Sequence, residues 1–158
     1  MNSSLLGKVN HLLARVGGFL QCPLLLVIRL YWGWQFFLTG RGKWSDLSRP
    51  TQFFASLHIP APHLNAIIVA VTECIGGLMF AAGLGTRFVA SIFIFEMLVA
   101  YATSEKEALH ALFGHFDADK FVAAGPFQFL LAALIVFAFG PGKIALDTLI
   151  FKPSAARN

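Results

Sequence analysis

The chain has 158 residues, of which 57% are hydrophobic, 13% are charged and 17 are phenylalanine; its formal net charge is +4 and its mean hydropathy +0.70. That charge share is about half of what a water-soluble domain carries, so a soluble globular enzyme is excluded, and the length leaves room for one domain. The basic residues are spread over loops with no run of Lys or Arg, which argues against a nucleic-acid partner.

Residues 1–20 do not read as a signal peptide, because Lys8, His11 and Arg15 interrupt the apolar run and no small-residue cleavage site follows. Leu5, Leu6, Val9, Leu12, Leu13, Val16 and Leu20 instead recur at helical spacing with basic residues between them, the pattern of an amphipathic helix on a membrane surface. A first membrane span is expected over residues 23–39, with Pro23 in its first turn, and a second over 63–82. Gly83 and Gly85 make a short connection, with Thr86 as N-cap of a third span over 87–103. A fourth covers 121–139 and ends at Gly140-Pro141-Gly142.

Short connections and alternating direction predict an all-α integral membrane four-helix bundle, up-down-up-down, with short interfacial helices. Residues 1–20 form its amphipathic N-terminal segment, 21–142 the four-helix domain and 143–158 an interfacial C-terminal tail. Between the first two spans, residues 51–58 are helix-compatible, and Phe53, Phe54 and Leu57 share an apolar face. After the third, Ser104 and Glu107 fit a capping box for a helix over 105–113, and Asp117 can cap the start of the fourth.

Four crossings put both termini on one side. That side carries Lys8, Arg15, Arg87, Lys143, Lys152 and Arg157, six basic residues, against five opposite, Arg41, Lys43, Arg49, Lys106 and Lys120. The excess of one favours cytoplasmic termini and a multi-pass protein of the cell (inner) membrane.

Three ionisable residues fall inside the spans: Arg29, Glu73 and Glu96. Arg29 lies about six residues from its helix end, roughly 9 Å deep by helical rise, and both carboxylates fall near mid-depth. Charges at that depth normally face the bundle interior and pair, so Arg29 is expected to pair with Glu73. Glu96 is then a second carboxyl in a dry, like-charged setting, where carrying a proton costs less than losing it. Such a group suits proton relay or quinol handling; an Arg–Glu pair that only fixes helix register is the plainer reading. Tyr31, Trp32, Gln35 and Tyr101 are candidates for the lining of a quinone pocket, with Trp34 and Phe36 beside them; lipid-facing packing is the alternative for the aromatics.

Small residues Ala66, Ala70, Cys74, Gly77 and Ala81 form a ridge on the second span that permits close helix approach. Cys22 and Cys74 lie far apart with no CxxC motif and read as small packing residues. Four histidines, His58, His63, His110 and His115, fall in the two loops opposite the termini. Their spacing matches no metal motif, so they are weak metal ligands at best. No phosphate-binding loop, dinucleotide fingerprint or nucleophile elbow is present.

Taken in order, "VIRLYWGWQFFLTGRGKW", "LHIPAP", "TECIGGLMFAAGLGTR", "MLVAY" and "FGPGKIALD" resemble the DoxX family of small four-helix membrane proteins, over residues 26–151. The resemblance covers Arg29, Glu73 and Arg87 but not Glu96. It implies an accessory subunit of a membrane redox system, quinone-linked in DoxD-like members, working in the lipid bilayer with a membrane or periplasmic redox protein or as a homo-oligomer. Two other functions remain open: a non-enzymatic membrane scaffold or assembly factor, and a small-solute or proton-coupled transporter. The chain lacks the broken helices and inverted repeats that transport by alternating access would suggest.

Overall fold

The computed structural model of the protein describes residues 3–150, without the side chains of residues 3–5 and His115. The Leu5 side chain of the N-terminal apolar stripe, Lys152 and Arg157 of the charge comparison, and the tail beyond residue 150 therefore lie outside what is described. The described residues form helices and turns only. In chain order they are α1 (Ser3–Ser45), α2 (Ser48–Ser56), α3 (Pro62–Ala82), α4 (Thr86–Thr103), α5 (Lys106–His115), α6 (Ala118–Ala123), α7 (Pro126–Phe139) and α8 (Leu146–Ile150).

Three boundaries differ from expectation. The N-terminal amphipathic segment and the first span are one helix of 43 residues, with Pro23 inside it. At 1.5 Å per residue that is about 64 Å, twice the thickness of a hydrocarbon core. It runs through Gly40 and Gly42 to Ser45, although paired glycines usually end a helix. The fourth expected span is divided at Ala124-Gly125-Pro126, because Pro126 cannot donate to the preceding turn and instead starts α7. α1, α3 and α4 are long and apolar enough to cross a membrane, and α7 is a shorter apolar helix.

The apolar helices form a ring in the order α3, α1, α7, α4, with α1 against α3 and α4 against α7 as the most extensive pairs. Neighbours are antiparallel. Gly33 of α1 faces Gly77 and Ala81 of α3, while Gly40 faces Ala70, Glu73 and Cys74. Arg87 at the start of α4 lies beside Gly140 after α7, and Tyr101 at its end stacks on Phe121 before α7. The predicted up-down-up-down bundle is present.

The small-residue ridge explains how closely α1 and α3 approach. A Cβ on Gly77 would lie 2.6 Å from the Phe37 backbone nitrogen and 2.7 Å from the Gly33 carbonyl oxygen, and one on Gly40 would lie 2.6 Å from the Cys74 nitrogen. Backbone meets backbone there, which only glycine permits. At the centre of the ring the four helices meet through phenylalanines. The Phe36 ring stacks on Phe93 at 3.6 Å and lies 4.8 Å from Phe129 and 6.4 Å from Phe80, all between centroids. Phe36, Phe80 and Phe93 are fully buried.

The outside of the bundle is apolar. Val27, Leu30, Ile68, Ile75, Phe88, Phe95 and Leu98 are all at least half exposed. So many exposed apolar side chains would favour aggregation in water and are the normal face of a protein in lipid.

The helix ends bear out one expected cap and correct another. Asp117 accepts a hydrogen bond from the Asp119 N–H at 3.1 Å and caps α6. The Ser104–Glu107 box does not form. Ser104 keeps helical dihedrals and its hydroxyl donates back to the Ala100 carbonyl at 2.8 Å, whereas an N-cap serine needs an extended backbone.

Candidate functional site

Two polar centres lie at opposite ends of the bundle with the phenylalanine cluster between them. At the end carrying α2 and α5, Lys43 on the last turns of α1 reaches across to Glu73 on α3 and forms an ion pair and hydrogen bond with it. The Glu73 side chain is 5% exposed and that of Lys43 29%, so the carboxylate is buried while the ammonium keeps access to water. The register set by Gly33, Gly40 and Gly77 brings the two together. Glu96, on α4, neighbours both, and its Oε2 is buried without a hydrogen-bond partner among the described residues.

All three residues line a cavity of about 590 Å³ between α3 and α4. The two helices are joined by the short turn at Gly83–Gly85, and the cavity lies between their other ends, on the α2 side. Phe53, Phe54 and Leu57 face it from the α2 loop, so the apolar face read from the sequence covers the cavity. Ile68 and Phe95 line it and are also exposed on the outer surface, so the cavity opens sideways as well.

The other centre holds Arg29. Its side chain is 1% exposed, and Nη2 donates to the Ile144 carbonyl at 2.5 Å. Nη1 lies against Gly83, where a Cβ would collide with it; Gly83 also has φ +75°, so glycine is required there twice over. Asp147 of α8 turns to the start of α4. Its Oδ1 accepts from the Gly85 N–H at 2.7 Å and its Oδ2 from the Thr86 N–H at 2.8 Å, while its own N–H donates to the Gly83 carbonyl. Thr86 is therefore not the N-cap. The cap comes from Asp147, whose negative charge also suits the positive end of α4. Burial pushes the Asp147 carboxyl up, but the Thr86 and Gly85 N–H groups and the nearby Arg29 charge hold it below the usual carboxylate range.

The sequence-derived cluster of Arg29, Glu73 and Glu96 is thus divided. Glu73 and Glu96 do share a site, but their cation is Lys43. Arg29 sits fourteen residues earlier on α1 than Lys43, about 21 Å away by helical rise. The expected end of the first span at residue 39 leaves Lys43 in a loop; the signal that places it on the helix is Gly40, seven residues after Gly33 on the same face.

The residues expected to line a quinone pocket are not gathered either. Tyr31 is 56% exposed, and Trp32 packs edge-on against Phe129 at 5.0 Å. Tyr101 is buried and its hydroxyl donates to the Phe121 carbonyl at 2.7 Å. None of Tyr31, Trp32, Gln35 and Tyr101 lines the large cavity. His58 occupies a left-handed turn after α2, His63 hydrogen-bonds Thr51, and His110 is exposed. Among the described residues no three His, Cys, Asp or Glu side chains come together as a metal-binding group, and the His115 side chain lies outside them. Cys22 and Cys74 are both free.

A helical ring with a lipid-compatible surface and buried charges at both ends defines a small integral membrane protein. The chain belongs to the DoxX family, whose profile matches residues 24–106. It is 29% identical to the Bacillus subtilis protein named "Putative oxidoreductase CatD" across 80% of this chain and 87% of that one. It is 32% identical to the inner membrane protein YphA of Escherichia coli K12 across 78% of this chain and 88% of that one. No solved structure matches it.

Proposed function

We propose that the protein is a membrane component of a redox system and that the cavity between α3 and α4 receives the head of a lipid-soluble carrier of the quinone class. The observation that carries this reading is a Lys43–Glu73 pair with a buried carboxylate, beside a Glu96 whose Oε2 has no hydrogen-bond partner, on the wall of an apolar, side-opening cavity. About 590 Å³ lies in the range of small-molecule sites, most of which are apolar with a few convergent polar groups. The Lys43 ammonium has three N–H donors, enough to serve Glu73 and a ring carbonyl together, and Glu96 can give or take a proton. Reducing a quinone takes two electrons and two protons. The carboxyls can handle only protons, so a membrane or periplasmic redox partner supplies the electrons. Similarity to a protein named as an oxidoreductase supports the redox setting.

We further propose an inner-membrane location with both termini cytoplasmic, supported by the inner-membrane relative and the small Lys/Arg excess on the terminal side.

The test is titration of the purified protein in nanodiscs with a short-chain quinone analogue. Saturable binding is expected, weakened about tenfold by Glu96→Gln or Lys43→Met, the loss that removing one charged hydrogen bond gives. No binding, or binding indifferent to both substitutions, overturns the reading and leaves a scaffold role for the buried charges.

A further inference from the structure

We propose that the cavity exchanges water and protons with one side of the membrane only, the side carrying α2 and α5, along Thr103, Ser104 and Glu105 to Glu96. The inference rests on the cavity being the working site, as above, but not on the ligand being a quinone.

Glu96, Ala100 and Thr103 fall on one face of α4, at i, i+4 and i+7, and all three line the cavity, as do Ser104 and Glu105 at its mouth. From Glu96 to Glu105 is nine residues, about 14 Å by helical rise. The Thr103 and Ser104 hydroxyls spend their protons on the Val99 and Ala100 carbonyls, at 2.7 and 2.8 Å, so their oxygens remain free to accept from water. Glu105 marks the mouth with a group that can itself carry a proton, and at about 30 Å³ per water the cavity volume suffices for a chain of waters.

The opposite direction is closed. Beyond Glu96 toward the Arg29 end lie Phe36, Phe80 and Phe93, fully buried and in ring contact, with Phe129 against them. They offer water no polar partner. The charged groups facing Glu96 are Glu73 from α3 and Lys43 from α1, while α2 and α7 present phenylalanine and proline. Every ionisable neighbour of Glu96 therefore belongs to the α2–α5 end.

The test uses the full chain with Cys22→Ala and Cys74→Ala, carrying single cysteines in sealed vesicles of both orientations and probed with a membrane-impermeant maleimide. Lys143→Cys reports the terminal side. Glu96→Cys, Ala100→Cys and Thr103→Cys are expected to label only from the opposite side, and Glu105→Ala to slow hydrogen–deuterium exchange of the Glu96 carboxyl in otherwise native protein, read by infrared spectroscopy. Should Glu96→Cys fail to fold, Ala100→Cys one turn nearer the mouth gives the same reading. Labelling from the Lys143 side, or from neither side, overturns the proposal. Failure to bind a quinone analogue would remove the proposed ligand and leave one-sided access standing, so the two failures are distinguishable.

Discussion

The two ends of the bundle bury charge for different purposes. At the Arg29 end polar groups of the chain are turned on one another: Asp147 spends both oxygens on the start of α4, and Arg29 holds the Ile144 carbonyl. A hollow of about 460 Å³ lies beside Arg29 and Lys143, yet Nη1 of Arg29 is pressed onto Gly83. At the other end one pair is made, and Glu96, whose Oε2 is buried without a hydrogen-bond partner, lines the wall of the cavity. The first arrangement is a latch between distant segments, although Nε and Nη1 of Arg29 are buried there without hydrogen-bond partners; the second sets a carboxyl and an ion pair on the wall of a cavity of about 590 Å³. Burial alone does not distinguish them, since Arg29 and Glu73 are both nearly inaccessible.

The largest expected effect strikes both ends together. Gly77→Val places a side chain against backbone on α1, separating the helices that align Lys43 with Glu73 and Arg29 with Gly83. Stability in detergent should fall by about 3 kcal/mol, with both latch and cavity disturbed; a loss confined to one end would show that the ends are set independently. Next, Asp147→Ala removes the cap of α4 and the charge facing Arg29, for about 2 kcal/mol, without changing ligand binding at the far cavity.

The same carboxyl gives a pH signature. Because its folded value lies below the unfolded one of about 4, its contribution is complete at neutral pH and is lost as pH falls through the folded value. Asp147→Asn should flatten that acid limb of the stability curve.

Lys43→Met leaves Glu73 unpaired. Since Lys43 keeps access to water, the cost is about 1–2 kcal/mol, and Glu73→Gln in the same chain should recover part of it in a double-mutant cycle. Smallest in stability is Glu96→Gln, within about 1 kcal/mol, although it should weaken binding in the cavity about tenfold. A large stability loss there would make Glu96 part of the scaffold and erase the contrast between the ends.

The apolar stretches, the bundle topology and the small-residue ridge were legible because hydropathy and helical spacing are local properties. Pairing was less so. Depth counted from helix ends put Arg29 near Glu73, but α1 runs on past Gly40, and the Gly33–Gly77 contacts fix a register in which Lys43 meets Glu73 instead. Glycine carries opposite meanings, a helix stop or a place of close approach, and only the partner helix decides between them. The cap of α4 was illegible for a related reason, because Asp147 lies 62 residues from the Gly85 N–H it accepts from. The Phe53–Phe54–Leu57 face is apolar as expected, yet that it roofs a cavity follows only from the packing of α2 against α3.

That long-range cap also bears on biosynthesis. The α3–α4 hairpin is synthesised before Asp147, so the first N–H groups of α4 must wait for their acceptor while Arg29 waits for the Ile144 carbonyl. Completion of the Arg29 end therefore comes late in synthesis, after all the other partners at that end have been made.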